Sequence, residues 1–196
     1  MEDELPLKWR TTMKPTTIFA LSLPLLAGVA GVSHAQTAPD KPFSARLSII
    51  LPTQGAARSL IGKSSGQIGV SYGLRPLKGF QPRVDLDYGR FSKGGNRLEP
   101  ITLQLVGLVP ISKRTGLERG PYLGAGIGLA YTRLRVRGVS GVTPVTLSDS
   151  KTNIAGKVFA GFNFTPAVFG EIGYSAYGKV SGVDPSNVFI QIGARF

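Results

Sequence analysis

The stretch PYLGAGIGLAY, residues 121–131, decides how this chain folds. Glycine in a strand weakens it and usually marks close packing, so a glycine ladder does not suit a water-facing strand. The interior of a narrow barrel supplies such packing, because eight strands leave room only for small side chains. The apolar face of the strand then points to lipid. The alternate positions that share the small face are Tyr122, Gly124, Gly126, Gly128 and Ala130.

The same period-two alternation recurs in segments of about ten residues that are separated by clusters of Gly, Pro, Ser and Asn. No stretch shows an apolar 3.6-residue period over three helical turns. We therefore predict an all-β fold, an eight-stranded antiparallel up-and-down transmembrane β-barrel. The predicted strands are Phe43–Pro52, Ser65–Leu74, Phe80–Phe91, Leu98–Ile111, Tyr122–Val136, Lys151–Phe164, Ala167–Val180 and Asn187–Phe196.

The connections between these strands alternate in length. Residues 53–64, 92–97, 137–150 and 181–186 form one set, and 75–79, 112–121 and 165–166 the other. Outer-membrane barrels have longer external loops and shorter periplasmic turns. The first set is therefore predicted to be external, with both chain termini in the periplasm; the long 112–121 connection departs from the pattern.

The first residues predict export. Lys14 precedes the uncharged run TIFALSLPLLAGVAGV, residues 17–32, and small residues lead to a cleavage point after Ala35. The run is shorter than the roughly 20 residues that a membrane-spanning helix needs. We predict a signal peptide over residues 1–35, with Met13 as an alternative start, a short linker over 36–42 and a barrel domain over 43–196. The predicted location is the bacterial outer membrane.

Composition excludes several kinds of chemistry. The chain has no cysteine, and its only histidine, His34, lies in the predicted signal peptide. The usual nucleophile–base pairs and zinc sites therefore cannot form in the mature protein. We predict that the protein is not an enzyme and holds no cofactor or metal. The sequence leaves one alternative open, a calcium site formed by Asp85, Asp87 and loop oxygens. The net charge is +12, but the basic residues are not clustered with stacking aromatic residues, so nucleic acid is not a predicted partner.

Two groups of polar residues are candidate functional sites. Strand pairing predicts that Glu171 binds Arg195 or Lys157 inside the barrel. The inward polar and ion-pair cluster is predicted to comprise Arg83, Asp85, Asp87, Gln104, Lys157, Glu171, Gln191 and Arg195. The basic residues in or beside the external loops are Arg58, Lys63, Lys93, Arg97, Arg137 and Lys151.

The end of the chain, NVFIQIGARF (residues 187–196), carries apolar residues at alternate positions before a terminal Phe. In this the chain resembles the small outer-membrane β-barrel family that includes the OmpA membrane domain, OmpX and OmpW. The resemblance implies that the outer-membrane assembly machinery reads this end as a signal. Ala194 departs from the larger residue that is usual there. The positions that would carry the signal are Val188, Ile190, Ile192 and Phe196.

Three functions are compatible with the sequence. The leading hypothesis is a structural or surface-interaction barrel whose basic external loops attract membrane lipids, such as the phosphates of lipopolysaccharide, or an acidic partner. The second is a narrow channel for small solutes, and the third is a soluble periplasmic β-barrel carrier. The sequence does not indicate an oligomeric state.

Overall fold

A computed structural model of the chain describes residues 41–77, 79–111, 119–140 and 143–196. The predicted signal peptide, both candidate start residues and most of the predicted linker lie outside these ranges. In the described part of the chain, no helix is both long enough and apolar enough to cross a membrane.

Eight antiparallel strands form a closed barrel in sequence order, and β1 pairs with β8 to complete it. The predicted fold class is therefore confirmed. The elements are β1 (Phe43–Pro52), α1 (Gly55–Ile61), β2 (Ser65–Gly73), β3 (Gln81–Lys93), β4 (Asn96–Pro110), β5 (Gly120–Ser140), β6 (Thr143–Asn163), β7 (Val168–Ala176) and β8 (Asn187–Arg195). We call the end that holds Phe43 and Phe196 the terminal end, and the opposite end the loop end.

The barrel is polar inside and apolar outside. On β1 every second residue is buried: Arg46 is 2% exposed, whereas its neighbour Leu47 is 64% exposed. A soluble β-barrel carrier has the reverse arrangement, so this interpretation of the sequence is wrong. A closed ring of strands satisfies its own backbone groups, and only such a ring or a helix can span a bilayer. The exposed apolar belt includes Leu47, Ile49, Ile68, Val70, Leu86, Ile101, Leu105, Leu123, Ile127, Ile154, Val158, Ile172, Ile190 and Ile192.

The inward glycines make room for aromatic rings. A Cβ atom at Gly124 would overlap the Phe159 ring, and one at Gly161 would overlap the ring of Tyr122. Both overlaps are between adjacent strands, β5 and β6. On β5, a Cβ atom at Gly126 would instead crowd Val106, and one at Gly128 would overlap the backbone of Leu103 on β4, so the whole glycine ladder is a packing requirement.

The β5–β6 hairpin is longer than the sequence predicted. Its pairing continues to Ser140↔Thr143, so residues 137–140 and 143–150, predicted as loop, are strand. The neighbouring strands pair with less of this hairpin: β4 pairs with β5 only as far as Arg135, and β7 pairs with β6 only from Gly156 onwards. A two-stranded ribbon therefore extends beyond the rest of the barrel at the loop end. The Gly, Ser and Pro content of this stretch was typical of a loop, but alternation continues through Val145 and Leu147.

A short helix closes the loop end, where the sequence predicted only a connection. Ala57 and Ile61 of α1 are fully buried and belong to an apolar cluster with Ile50, Phe91 and Leu98. Two turns are too short to produce a helical period over three turns. Helix α1 thus covers the mouth of the barrel with an apolar layer.

Candidate functional site: a filled lumen and a basic loop end

Six buried charges meet inside the barrel and balance one another. The side chain of each is at most 7% exposed. They come from β1, β3, β6 and β7, so the network spans the lumen rather than following one wall. The basic members are Arg46, Arg83 and Lys157, and the acidic members are Asp85, Asp87 and Glu171.

Asp85 lies at the centre of this network. Arg46 Nη1 is 2.8 Å from Asp85 Oδ1, and Arg83 Nε is 2.9 Å from the same oxygen. Lys157 Nζ donates to Asp85 Oδ2 and lies 3.5 Å from Asp87 Oδ2. Arg46 Nη2 also donates to Asp87 Oδ1 over 2.6 Å. Because three cations surround one carboxylate, the chain itself neutralises the two aspartates.

Glu171 binds Arg83 from across the lumen. Arg83 Nη1 donates to Glu171 Oε1 over 2.8 Å and Nη2 to Oε2 over 3.0 Å, which is the bidentate geometry of a strong arginine–carboxylate pair. The Tyr122 hydroxyl donates to Oε1 over 2.7 Å, and Gln191 Nε2 donates to Oε2. The prediction that Glu171 binds Arg195 or Lys157 is therefore wrong.

The error lies in the strand register. Residues Val180 and Val183 pair in a tight turn whose central Ser181 and Gly182 have φ of 48° and 78°. Two successive positive φ values are typical of the type I′ hairpin turn. The turn is centred nearer to β7 than predicted, which places Glu171 opposite Gln191 rather than Arg195.

Aromatic and apolar side chains fill the space on both sides of the ion network. The Arg83 guanidinium lies 5.2 Å from the ring centre of Phe159 and 5.9 Å from that of Phe169. Phe159 also packs edge-on against Tyr122. Towards the loop end, the apolar layer beneath α1 completes the filling. A filled cross-section is a property of a packed interior, not of an aqueous pore.

The remaining predicted inward residues have different surroundings. Gln104 is buried and opposite Asp85, but its Nε2 has no hydrogen-bond partner in the described part of the chain. Arg195 is at the terminal end, outside the network: its Nη2 donates to Asn163 Oδ1 over 2.8 Å, and its guanidinium lies 4.7 Å from the Phe169 ring centre.

Sequence reasoning missed Arg46 and Tyr122 as members of the network. Arg46 is the one charged residue of β1 and alternates with the buried Ser44 and Ser48, which is a usable signal. Tyr122 was recognised as inward, but nothing in the sequence placed its hydroxyl beside a carboxylate of β7.

The predicted basic residues all lie towards the loop end, but not all in loops. Arg58 is on α1, where its Nε donates to Pro52 O over 2.6 Å, and Lys63 is exposed after the helix. Lys93 ends β3 and donates to Ser59 O over 2.9 Å. The assignment to loops is wrong for Lys93, Arg97 and Arg137, which lie on β3, β4 and β5 because strand pairing extends further than predicted. Lys151, predicted as the first residue of its strand, lies on β6.

The predicted assembly-signal residues are outward or at the barrel end. Ile190 and Ile192 of β8 are exposed in the apolar belt, and Val188 is partly exposed. Phe196 N donates to Phe43 O over 2.9 Å, and the two rings are stacked with centres 6.4 Å apart. The last residue thus closes the seam between the two chain ends.

Comparison with known proteins gives structural matches alone. No family model matches the chain, and no curated protein matches it in sequence. Ail of Yersinia pestis, solved in complex with the heparin analogue sucrose octasulfate, is similar with a TM-score of 0.54 and 15% identity over 80% of this chain and 97% of Ail. Neisserial surface protein A matches with a TM-score of 0.50 and 14% identity, over 82% and 100% of the two chains.

The N-terminal β-barrel domain of Pseudomonas aeruginosa OprF also matches, with a TM-score of 0.50 and 13% identity over 78% of this chain and 97% of that domain. All three are small eight-stranded outer-membrane barrels, in agreement with the expected resemblance and location. By its fold, this chain is a small eight-stranded β-barrel of the outer-membrane type.

Proposed function

We propose that this protein is a non-conducting barrel of the bacterial outer membrane that displays a basic loop end for binding anionic glycans. One observation carries the proposal: the lumen is filled by a neutral ion network and by apolar layers, whereas the loop end has an excess of positive charge. The interior therefore stabilises the fold, and we propose that the loop end is the surface that binds a partner.

The filled lumen argues against the second candidate function, a channel. A solute would have to break the Arg83–Glu171 pair and displace the Phe159 ring, both at the centre of the barrel. Each unpaired buried charge costs several kcal/mol. We therefore expect no conductance from the folded barrel in a planar bilayer.

The loop end offers charge that is not neutralised locally. Among the described residues there, three are acidic, Glu99, Asp149 and Asp184, whereas all six predicted basic residues lie there. Clustered exposed cations attract anions over about 8 Å at physiological salt. Ail shows that a barrel of this fold can bind a sulfated sugar, and we propose sulfated or phosphorylated glycans as the partner class here.

The proposed role is not enzymatic. The similar barrels are non-enzymatic proteins. Within the described chain, the carboxylates that resemble an acid–base pair, Asp85 and Asp87, are held by Arg46, Arg83 and Lys157 in a packed interior. A general base must reach the proton that it abstracts, and no substrate has access to this site.

Glycan binding should depend on exposed loop-end lysines. With the folded barrel in neutral detergent, Lys63→Gln with Lys151→Gln is expected to weaken binding to immobilised heparin about fivefold, or roughly 1 kcal/mol, and to lower the salt concentration of elution. Both residues are exposed, so folding should be unaffected. The matched control is Lys41→Gln with Arg119→Gln, which removes two exposed charges at the terminal end. Equal losses in the two variants, or stepwise conductance of the wild type, would contradict the proposal.

Assembly should depend on the last residue. Deletion of Phe196 is expected to reduce the amount of folded protein in the outer membrane severalfold, because the terminal Phe is proposed as part of the signal that the assembly machinery reads. Phe43→Ala is the control, since it removes the same ring stack but keeps the terminal residue. The amount of fast-migrating, unboiled protein on a gel measures the outcome. If both variants fall equally, the stack rather than the signal is responsible.

A further inference from the structure

Five arginines form a patch on the outside of the barrel wall, separate from the loops. They alternate along the strands with Leu98 and Leu134, which are buried inside. Because successive side chains of a strand point to opposite faces, the arginines point outward. This arginine patch consists of Arg90 on β3, Arg97 on β4, and Arg133, Arg135 and Arg137 on β5.

The strand register concentrates like charges in this patch. Arg97 is directly opposite Arg135 across the β4–β5 ladder. Its diagonal neighbours on β5 are Arg133 and Arg137, within reach of long side chains. Like charges directly opposite each other destabilise a sheet. A barrel wall that keeps this arrangement is suited to a bound anion.

The protein supplies little neutralising charge to this face. Glu99 is the one acidic residue on the outward face of described strands β3 to β5; it is opposite Arg133 and 3.9 Å from Arg90. Asp149 pairs with the inward Leu134 and therefore lies on the other face, where it accepts a hydrogen bond from Ser181. The patch thus retains a large excess of positive charge.

The patch begins where the apolar belt ends. On β3, Arg90 is the next outward residue after Tyr88; on β5, Arg133 is the next after Tyr131. Two residues of strand span about 7 Å. Aromatic girdles of outer-membrane barrels mark the boundary of the hydrocarbon layer, and lipid headgroups occupy the next several ångströms. Arg90 and Arg133 are therefore at headgroup depth, and Arg97, Arg135 and Arg137 lie one or two outward positions further from the apolar belt.

We propose that the arginine patch binds the phosphate groups of a membrane glycolipid, of the lipid A type, in the leaflet around the loop end. This rests on the proposed function, which places the loop end outside the cell. Guanidinium groups bind phosphate in bidentate fashion, and a doubly phosphorylated headgroup can neutralise several arginines at once. The acyl chains of the lipid would then lie along the exposed apolar belt of the barrel.

Fluorescent lipid A can be titrated into the folded barrel in neutral detergent, with anisotropy as the readout. We expect Arg97→Gln with Arg135→Gln to weaken binding of bisphosphorylated lipid A at least tenfold, whereas the Lys41→Gln, Arg119→Gln control binds as the wild type does. Without lipid A the patch variant should unfold at the same urea concentration as the wild type or a higher one, because the substitutions remove repulsion. This second measurement separates lost binding from lost folding.

Tight binding by the patch variant would overturn the proposal, and so would equally tight binding of fully dephosphorylated lipid A. Equal competition by phosphatidylglycerol would also overturn it, since the site would then recognise negative charge of any lipid. Heparin binding distinguishes this inference from the proposed function. If the patch variant loses lipid A but keeps heparin, both stand; if the wild type binds lipid A through the patch but no heparin, only the glycan proposal fails.

Discussion

Asp85→Asn is expected to lower the free energy of unfolding of the barrel by about 3–5 kcal/mol, the usual cost of removing one partner from a buried charge network. Arg46, Arg83 and Lys157 all contact this carboxylate. Without it, three buried cations face only two anions, and the low-dielectric interior cannot screen the excess. Urea unfolding of the folded barrel in vesicles, followed by the migration of unboiled protein on a gel, measures the loss.

Two companion variants make this test specific. Glu99→Gln removes a carboxylate of a more exposed ion pair and should change stability by less than about 1 kcal/mol. Adding Lys157→Met to Asp85→Asn restores equal numbers of buried cations and anions, and it should recover a large part of the loss through the coupling between contacting residues. A double variant as unstable as the sum of its parts would show that charge balance is not what the network provides.

Leu86→Arg should destabilise the inserted barrel by about 2 kcal/mol, because it places a charge on the lipid-facing side of β3, one outward position inside the aromatic boundary at Tyr88; the cost there lies between the midplane and interface values. Leu86 is 46% exposed and outward on β3, between the aromatic residues Phe80 and Tyr88. The folded fraction in vesicles as a function of urea concentration reports the effect.

Ser92→Arg is the matched control for Leu86→Arg. It introduces the same side chain on the same strand and the same face, but beyond Tyr88 and beside the arginine patch, where Ser92 is exposed. Arginine near the interface costs little or nothing, so Ser92→Arg should leave stability within about 1 kcal/mol of the wild type. Similar effects from both substitutions would mean that the apolar belt does not face hydrocarbon.

The strands and their inside–outside orientation were predictable because they depend on local alternation. In β1, Ser44, Arg46 and Ser48 alternate with Leu47 and Ile49, and this alternation indicates both a strand and which of its faces is inward. The predicted bounds of β1 agree with the structure. A shift by one residue would bury the wrong face, so this alternation leaves little freedom. The same argument does not fix which turn joins two strands.

Register and cross-lumen contacts were harder to predict, for two physical reasons. The Ser181–Gly182 turn places Glu171 opposite Gln191 instead of Arg195, a shift in register of four residues. A shift by an even number of residues changes the neighbours of a side chain without changing its face. The Arg83–Glu171 pair joins β3 to β7. Contacts between strands that are not adjacent depend on the tilt and stagger of the whole barrel, which no local pattern encodes.

The seam between β1 and β8 has a consequence for the order of folding. Every other pairing joins strands that are consecutive in the chain, whereas this one joins the first strand to the last, and Phe43 to Phe196. Until the last strand arrives, the sheet has two free edges whose backbone groups have no partners. In hydrocarbon each such group costs several kcal/mol, so the open sheet cannot wait in the bilayer core by itself. Ring closure therefore completes the backbone hydrogen bonding of the barrel, and we expect the two free edges to need another partner, or to stay out of the hydrocarbon, until the last strand arrives.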